Sequence, residues 1–192
     1  LKTMDKIVLA SLSPRRKELL EATGLSFIID SSYQEEVLNA SLPLENRLMD
    51  LAYQKALPLL EKYPDALIIG ADTVVVFDNQ VLGKPKDYIE AYQMLKRFSG
   101  NKQYVYSAVA LLTKEKHICF IDQSDVVFKT LSDQEIKDYL AKNEWQDKAG
   151  GYAIQGEGRS LIDMFNGDYT NIVGLPMIKL KNELKTQFQI TI

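Results

Sequence analysis

A near-continuous apolar run at residues 66–77 constrains the fold more than any other stretch of this sequence. It is rich in β-branched residues, a composition typical of a strand that is covered on both faces. Asp72 is the only ionisable residue inside it. A carboxylate there costs free energy unless it is paired, hydrogen-bonded or bound to a metal ion. Asp72 is therefore the strongest candidate for a functional residue, with a loop cap or a structural salt bridge as the alternative.

Strand and helix patterns alternate along the rest of the chain. Strands are predicted at residues 7–10, 26–30, 66–77, 81–82, 104–113 and 118–128, and helices at 14–23, 44–56, 87–99, 132–143 and from Pro176 onward. We also expect Pro58 to end or kink the second helix, a short strand within residues 150–158, and a hairpin over 161–173 with Asn166-Gly167 at its turn. This alternation predicts an α/β fold, a central mixed β-sheet flanked by helices, in a single domain over residues 1–192.

Composition excludes several classes of partner. The 192 residues carry 23 basic and 26 acidic side chains, a net charge of −3, so we expect no nucleic-acid surface and no membrane surface as partner. No stretch approaches the ~18 apolar residues of a membrane helix, and a cytoplasmic location is expected. The single cysteine, Cys119, is expected to pack in the core. Leu1–Thr3 precede Met4 and are expected to be an expression remnant.

The turn at residues 11–16 has the features of a phosphate cradle. Ser13 suits a helix N-cap and Pro14 the first helical position, yet Arg15 and Arg16 place two cations at the positive end of the helix dipole. An anion among these groups, with Ser11 and Ser13 in the turn, would offset that cost. The alternative is a solvated, basic first turn.

Further polar side chains complete the candidate set. Lys55 falls in the middle of the apolar stripe of its helix, where it is either functional or extends its ammonium group past a frayed end to solvent. Lys84 lies in a rigid Gly-Lys-Pro turn that would aim its ammonium group, or it is simply solvated. Gln155 offers an amide that could read one edge of a base. Glu35 and Glu36 lie in a polar loop. They are candidate functional residues only if the protein is a phosphate hydrolase that needs a second carboxylate.

Several separated segments together resemble the Maf family, the nucleoside triphosphate pyrophosphatases first described as septum formation inhibitors. The resemblance spans nearly the whole chain. Its residues are Leu9-Ala10-Ser11 with 13–20, Gly70-Ala71-Asp72-Thr73-Val74, Gly83-Lys84-Pro85, 147–152, Ile154-Gln155-Gly156, and Gly167-Asp168-Tyr169 with Val173-Gly174-Leu175-Pro176.

The resemblance implies a fold of two lobes with a cleft between them, usually a homodimer, and a divalent cation, magnesium or manganese. Asp72 matches the family's proposed proton acceptor, and Glu35, Lys55 and Lys84 match other active-site residues, with Asp72 and Glu35 as the expected metal ligands. Arg15, Thr73 and Gln155 match the positions that mark the branch acting on dTTP and UTP. Glu36 is the alternative to Glu35, because a shift of one residue exchanges them.

The resulting hypothesis is hydrolysis of dTTP and UTP, and of related modified pyrimidine nucleotides, to a nucleoside monophosphate and pyrophosphate. Arg15, Arg16, Lys55 and Lys84 would hold the triphosphate while water attacks the α-phosphorus. One alternative is a nucleotide-sensing or cell-division regulatory protein that binds without turnover. Another is the same chemistry on 7-methyl-GTP or inosine-type triphosphates.

Overall fold

The structure is a computed structural model that describes residues 6–32 and 35–192; the expected remnant at residues 1–3 lies outside them. The strands are β1 (Ile7–Leu9), β2 (Ile28–Ile29), β3 (Leu67–Phe77), β4 (Gln80–Leu82), β5 (Lys102–Leu112), β6 (His117–Phe128) and β7 (Ile162–Asn166). The helices are α1 (Pro14–Glu21), α2 (Leu44–Lys62), α3 (Tyr88–Phe98), α4 (Asp133–Leu140), α5 (Tyr169–Val173) and α6 (Met177–Phe188).

Within these described ranges, seven strands form one sheet in the order β2-β1-β3-β5-β6-β7, with β4 paired to β3. β1 runs parallel to β2 and β3, whereas β3 and β4 pair antiparallel, as do β6 and β7. The predicted mixed α/β sheet is therefore confirmed.

The chain divides into two compact units, one of residues 1–72, 107–122 and 174–192 and the other of residues 73–106 and 123–173. Strands β3, β5 and β6 each contribute residues to both units. The cleft between two lobes stays a prediction from the family resemblance.

In the first unit, one face of the sheet is covered by α1 and α6. Side chains of β1, β3 and β5 form a single core cluster there with Leu20 of α1 and with Leu180 and Leu184 of α6. Ile69 and Ala71 of β3 belong to this cluster and are fully buried. Because side chains alternate along a strand, Gly70 and Asp72 lie on the opposite face.

The opposite face of β3 is covered by α2 at very short range. A Cβ built on Gly70 would overlap the carbonyl oxygen of Ala52 and lie 2.9 Å from the Ala56 Cβ. Only glycine fits a backbone approach this close. Ala52 and Ala56 are fully buried, so the run at residues 66–77 is covered on both faces here, as its composition predicts.

Of the two outcomes expected at Pro58, an end of the second helix is wrong, because α2 continues to Lys62 with Pro58 inside it, while a kink stays a prediction. Leu59 and Leu60, which follow the proline, are buried and extend the apolar stripe. Their packing offsets the backbone hydrogen bond that Pro58 cannot donate.

The second unit is built around a cluster of aromatic rings. Phe98 of α3 packs against Phe77, Phe128 and Tyr152, with ring centroids 5.3, 5.4 and 6.3 Å away. Burial raises the pKa of the Tyr152 hydroxyl above its ordinary value.

The predicted short strand within residues 150–158 is wrong. Residues Ala149–Gly151 and Gly156–Leu161 form 3₁₀ turns instead. Gly150 and Gly151 adopt φ angles of 73° and 78°, which are incompatible with an extended strand. A Cβ on Gly150 would lie 3.1 to 3.3 Å from Val75, Phe98 and Tyr152, so this turn packs directly on the aromatic cluster.

The predicted hairpin over residues 161–173 is also wrong. β7 pairs with β6, and the chain then enters α5 rather than a return strand. Asp168 explains the change, because its Oδ1 accepts hydrogen bonds from the Thr170 backbone N–H at 2.8 Å and from the Thr170 hydroxyl at 2.7 Å. A carboxylate at this place caps the start of a helix.

Cys119 is exposed, so the prediction that it packs in the core is wrong. Its neighbours Ile118 and Phe120 pack against the core cluster of the first unit, and strand alternation turns Cys119 to the other side. A search of the described helices finds none long and apolar enough to cross a membrane.

We expect Gly70→Ala to lower the free energy of unfolding by about 1–3 kcal/mol, because α2 must move away from β3 to admit the methyl group. Denaturant unfolding monitored by circular dichroism measures this change. Gly83→Ala is the control, since a Cβ there meets nothing within 4 Å. Equal stability of the two variants would contradict the close approach.

Candidate active site

An ion pair between α2 and β3 forms the centre of the candidate site. The Lys55 Nζ donates to Asp72 Oδ1 at 2.7 Å, and the two side chains are 25% and 14% exposed. Asp72 shares a face of β3 with Gly70, where α2 passes closest, and Lys55 follows Ala52 by three positions on the helix. Lys55 and Asp72, which interrupt the apolar patterns of α2 and β3, therefore face each other.

The loop before α2 brings a second carboxylate to the same lysine. Glu36 Oε1 lies 3.6 Å from Lys55 Nζ, and its side chain is 44% exposed. Glu35, which the resemblance matched to the active site, is exposed beside it. The structure thus places Glu36 against Lys55, and the catalytic and metal-binding role expected of Glu35 stays a prediction.

The turn between β1 and α1 is organised by its two serines. Ser13 is the N-cap of α1, as predicted, and its hydroxyl oxygen accepts from the Arg16 backbone N–H at 3.4 Å. The buried Ser11 hydroxyl oxygen accepts from the Ser13 backbone N–H and from the Arg16 guanidinium Nη1, both at 3.2 Å. Both serines therefore hold the turn and the arginine in place.

A backbone carbonyl shortly before α6 also binds the Arg16 side chain. Its Nε donates to the carbonyl oxygen of Gly174 at 2.7 Å. The sequence indicates Gly174 only as part of a family motif. Its contact with Arg16 could not be predicted, because the acceptor is a backbone atom 158 residues away. The hydrogen bonds to Ser11 and Gly174 therefore orient the guanidinium group without a ligand.

Electrostatics link this turn to the Lys55–Asp72 pair. Burial lowers the pKa of Arg16 to about 10, while the Asp72 carboxylate acts in the opposite direction and Arg15 adds to the lowering. Burial also lowers the pKa of Arg15. Two guanidinium groups therefore lie in the first turn of α1, each partly removed from solvent.

The remaining candidates belong to the second unit. Thr73 follows Asp72 directly in β3 and is half-buried. Lys84 is exposed, in a turn where the Gly83 carbonyl oxygen accepts from the Gly150 backbone N–H at 3.1 Å and Pro85 is buried; the rigidity of this turn stays a prediction. Gln155 is half-buried and precedes the 3₁₀ turn at Gly156–Leu161.

No group of three or more His, Cys, Asp or Glu side chains that could hold a metal ion is found within residues 6–32 and 35–192. Asp72 and Glu36 are two carboxylates around one lysine. Any metal ion here would need further oxygen ligands from a substrate or from water.

The chain is similar throughout its length to known proteins. A family model described as Maf-like protein matches residues 6–187. A dTTP/UTP pyrophosphatase of Bacillus cytotoxicus is 44% identical over 182 residues, which is 95% of each chain. A dTTP/UTP pyrophosphatase of Bacillus cereus is 44% identical over 189 residues, covering 98% of this chain and 93% of its own.

We expect Lys55→Met to destabilise the fold by about 1–3 kcal/mol, because it leaves the Asp72 carboxylate without its cation in a mostly buried position. Thermal and denaturant unfolding measure the loss. Adding Asp72→Asn to Lys55→Met should recover part of the stability, since the uncompensated charge is then removed. Strictly additive losses would show that the two groups do not interact.

Proposed function

The chain belongs to the Maf-like protein family, and from that premise we propose that it hydrolyses dTTP and UTP to the nucleoside monophosphate and pyrophosphate. The observation that carries the proposal is the placement of Lys55, Asp72 and Glu36, with Arg16 close enough for its pKa to respond to Asp72. Carboxylates combined with several cations suit a reaction in which water must be oriented beside a polyanion.

The cations would bind the triphosphate. Arg16 is pre-oriented by Ser11 and Gly174 at the start of α1, where the helix dipole also favours negative charge. Arg15, Lys55 and Lys84 would add charge that offsets the negative charge developing on the leaving pyrophosphate. A site of this kind spreads the binding energy over several groups.

The carboxylates would direct the water. Asp72 would accept its proton as the new bond to the α-phosphorus forms and the bond to the bridging oxygen of the leaving pyrophosphate breaks. Lys55, bonded to Asp72 Oδ1, holds this carboxylate in one orientation. Because Asp72 is only 14% exposed, it is shielded from most of the competing solvent.

The residues fit a divalent cation. Asp72 and Glu36 both approach the ammonium group of Lys55. Magnesium is typically held by one or two carboxylates along with substrate phosphates. We propose these two side chains as its protein ligands, with Glu35 as the alternative to Glu36. When bound, magnesium or manganese would polarise the phosphate oxygens and lower the pKa of a bound water.

Base selectivity is proposed to come from Arg15, Thr73 and Gln155, which match the positions that mark the dTTP and UTP branch. The names of the Bacillus relatives support this branch. The homodimer, the cytoplasmic location and any role in cell division stay predictions from the resemblance and the composition.

The first experiment measures pyrophosphate release from dTTP, UTP, CTP, GTP, 7-methyl-GTP and ITP with magnesium, manganese or chelator. We expect metal-dependent release that is highest with dTTP and UTP, and a loss of at least about 100-fold in Asp72→Asn. Lys84→Ala should lose less, because several cations share the phosphates. Preference for another base would overturn the specificity, whereas a folded chain that releases no pyrophosphate would favour the regulatory binding protein.

A pair of adjacent variants tests which glutamate takes part. We expect Glu36→Gln to lower kcat/KM about tenfold more than Glu35→Gln and to raise the magnesium concentration needed for half-maximal activity, because only Glu36 is seen to approach Lys55. The two substitutions are matched in chemistry and differ by one position. A larger loss in Glu35→Gln would return the role to Glu35.

A further inference from the structure

The side chain of Gln54, on α2, pairs with the backbone of the loop that carries Glu36. Its Oε1 accepts from the Val37 backbone N–H at 2.8 Å, and its Nε2 donates to the Val37 carbonyl oxygen at 2.8 Å. One side-chain amide thus engages both backbone groups of one residue, as a neighbouring strand would.

A third contact fixes the orientation of this amide. Nε2 also donates to Asp50 Oδ2, one helical turn earlier, at 2.7 Å. Both hydrogens of Nε2 are therefore directed at acceptors, and Oε1 faces a donor. The flipped amide would set nitrogen against the Val37 N–H and oxygen against the Asp50 carboxylate, so the network selects one arrangement.

The pairing sets a register between loop and helix. Val37 is opposite Gln54, and the preceding residue, Glu36, is opposite the following one, Lys55, at 3.6 Å. Neighbouring Cα atoms are about 3.8 Å apart, so a shift of the loop by one residue would exchange Glu36 for another side chain at Lys55. Fixing Val37 therefore decides which side chain reaches the Lys55–Asp72 pair.

The same contacts contribute little to global stability. The Val37 residue is 68% exposed, and its backbone groups would bond to water if Gln54 were absent. The main effect of the pairing between Gln54 and Val37 is therefore to select one conformation of the loop.

We propose that Gln54, oriented by Asp50, is a positioning residue that presents the Glu36 carboxylate to the active site. This inference rests on the proposed function, since it assigns a role in that reaction. It differs from the roles of Lys55 and Asp72, because Gln54 acts through the loop backbone and has no required contact with the substrate.

The test compares Gln54→Leu with Gln134→Leu. Gln134, on the exposed side of α4, also bonds an aspartate four positions away, Asp138 at 2.8 Å, and serves as the matched control. We expect Gln54→Leu to lower kcat/KM about tenfold and to raise the half-saturating magnesium concentration, with the melting temperature nearly unchanged. Gln134→Leu should leave activity unchanged. An equal effect in both variants would overturn the proposal.

A double-mutant cycle separates positioning from a general effect on α2. If Gln54 acts through Glu36, the tenfold effect of Gln54→Leu should shrink to less than about twofold in a Glu36→Gln background. A full tenfold loss in that background would show that Gln54 acts by another route and would overturn the proposal.

Amide hydrogen exchange at Val37 gives a readout that does not depend on activity. We expect exchange of the Val37 N–H to be at least about tenfold faster in Gln54→Leu than in the wild-type chain and in Gln134→Leu. Unchanged exchange would overturn the contact itself. Slow wild-type exchange in a chain that hydrolyses no nucleotide would instead keep the contact and reject the proposed function along with the positioning role of Gln54.

Discussion

The close approach of α2 to β3 at Gly70 is the constraint on which the candidate site depends. The missing side chain lets the helix backbone come near enough for Lys55 Nζ to reach Asp72 Oδ1 at 2.7 Å. Packing and chemistry are therefore coupled, because the alanines that fill the interface, Ala52 and Ala56, lie on the same stripe of α2 as the lysine. A wider separation would take the Lys55 cation away from the mostly buried Asp72 carboxylate, which would lower the stability of the fold.

Most strands and helices could be predicted because their signals are local. The N-cap at Ser13 and the β-branched run of β3 both act within a few residues, and the structure contains both. The errors occurred where distant contacts prevail over local preference. Packing of Leu59 and Leu60 carries α2 past Pro58, the turn at Gly150 packs on Phe98, and pairing of β7 with β6 competes with the hairpin expected at Asn166-Gly167.

Candidate residues could be predicted where a charge interrupts an apolar pattern, which is why Asp72 and Lys55 stood out. The choice between Glu35 and Glu36 could not be made in this way, because a polar loop has no periodicity that distinguishes neighbouring residues. Gln54 could not be predicted either, because a glutamine next to a lysine on a helix is common. Only the structure shows its amide paired with the backbone of Val37. The Gly174 carbonyl that orients Arg16 is a backbone atom, which no side-chain pattern can indicate.

The balance of charge in the first unit supports the proposal that this site binds an anion. Asp72 and Glu36 face Lys55, while Arg15 and Arg16 stand at the start of α1, where the helix dipole already repels positive charge. Arg16 is bonded to two uncharged oxygens and keeps a pKa of about 10, so it remains charged at neutral pH although burial opposes that charge. A polyanion at this turn would interact favourably with both guanidinium groups and with the helix dipole, which opposes their positive charge.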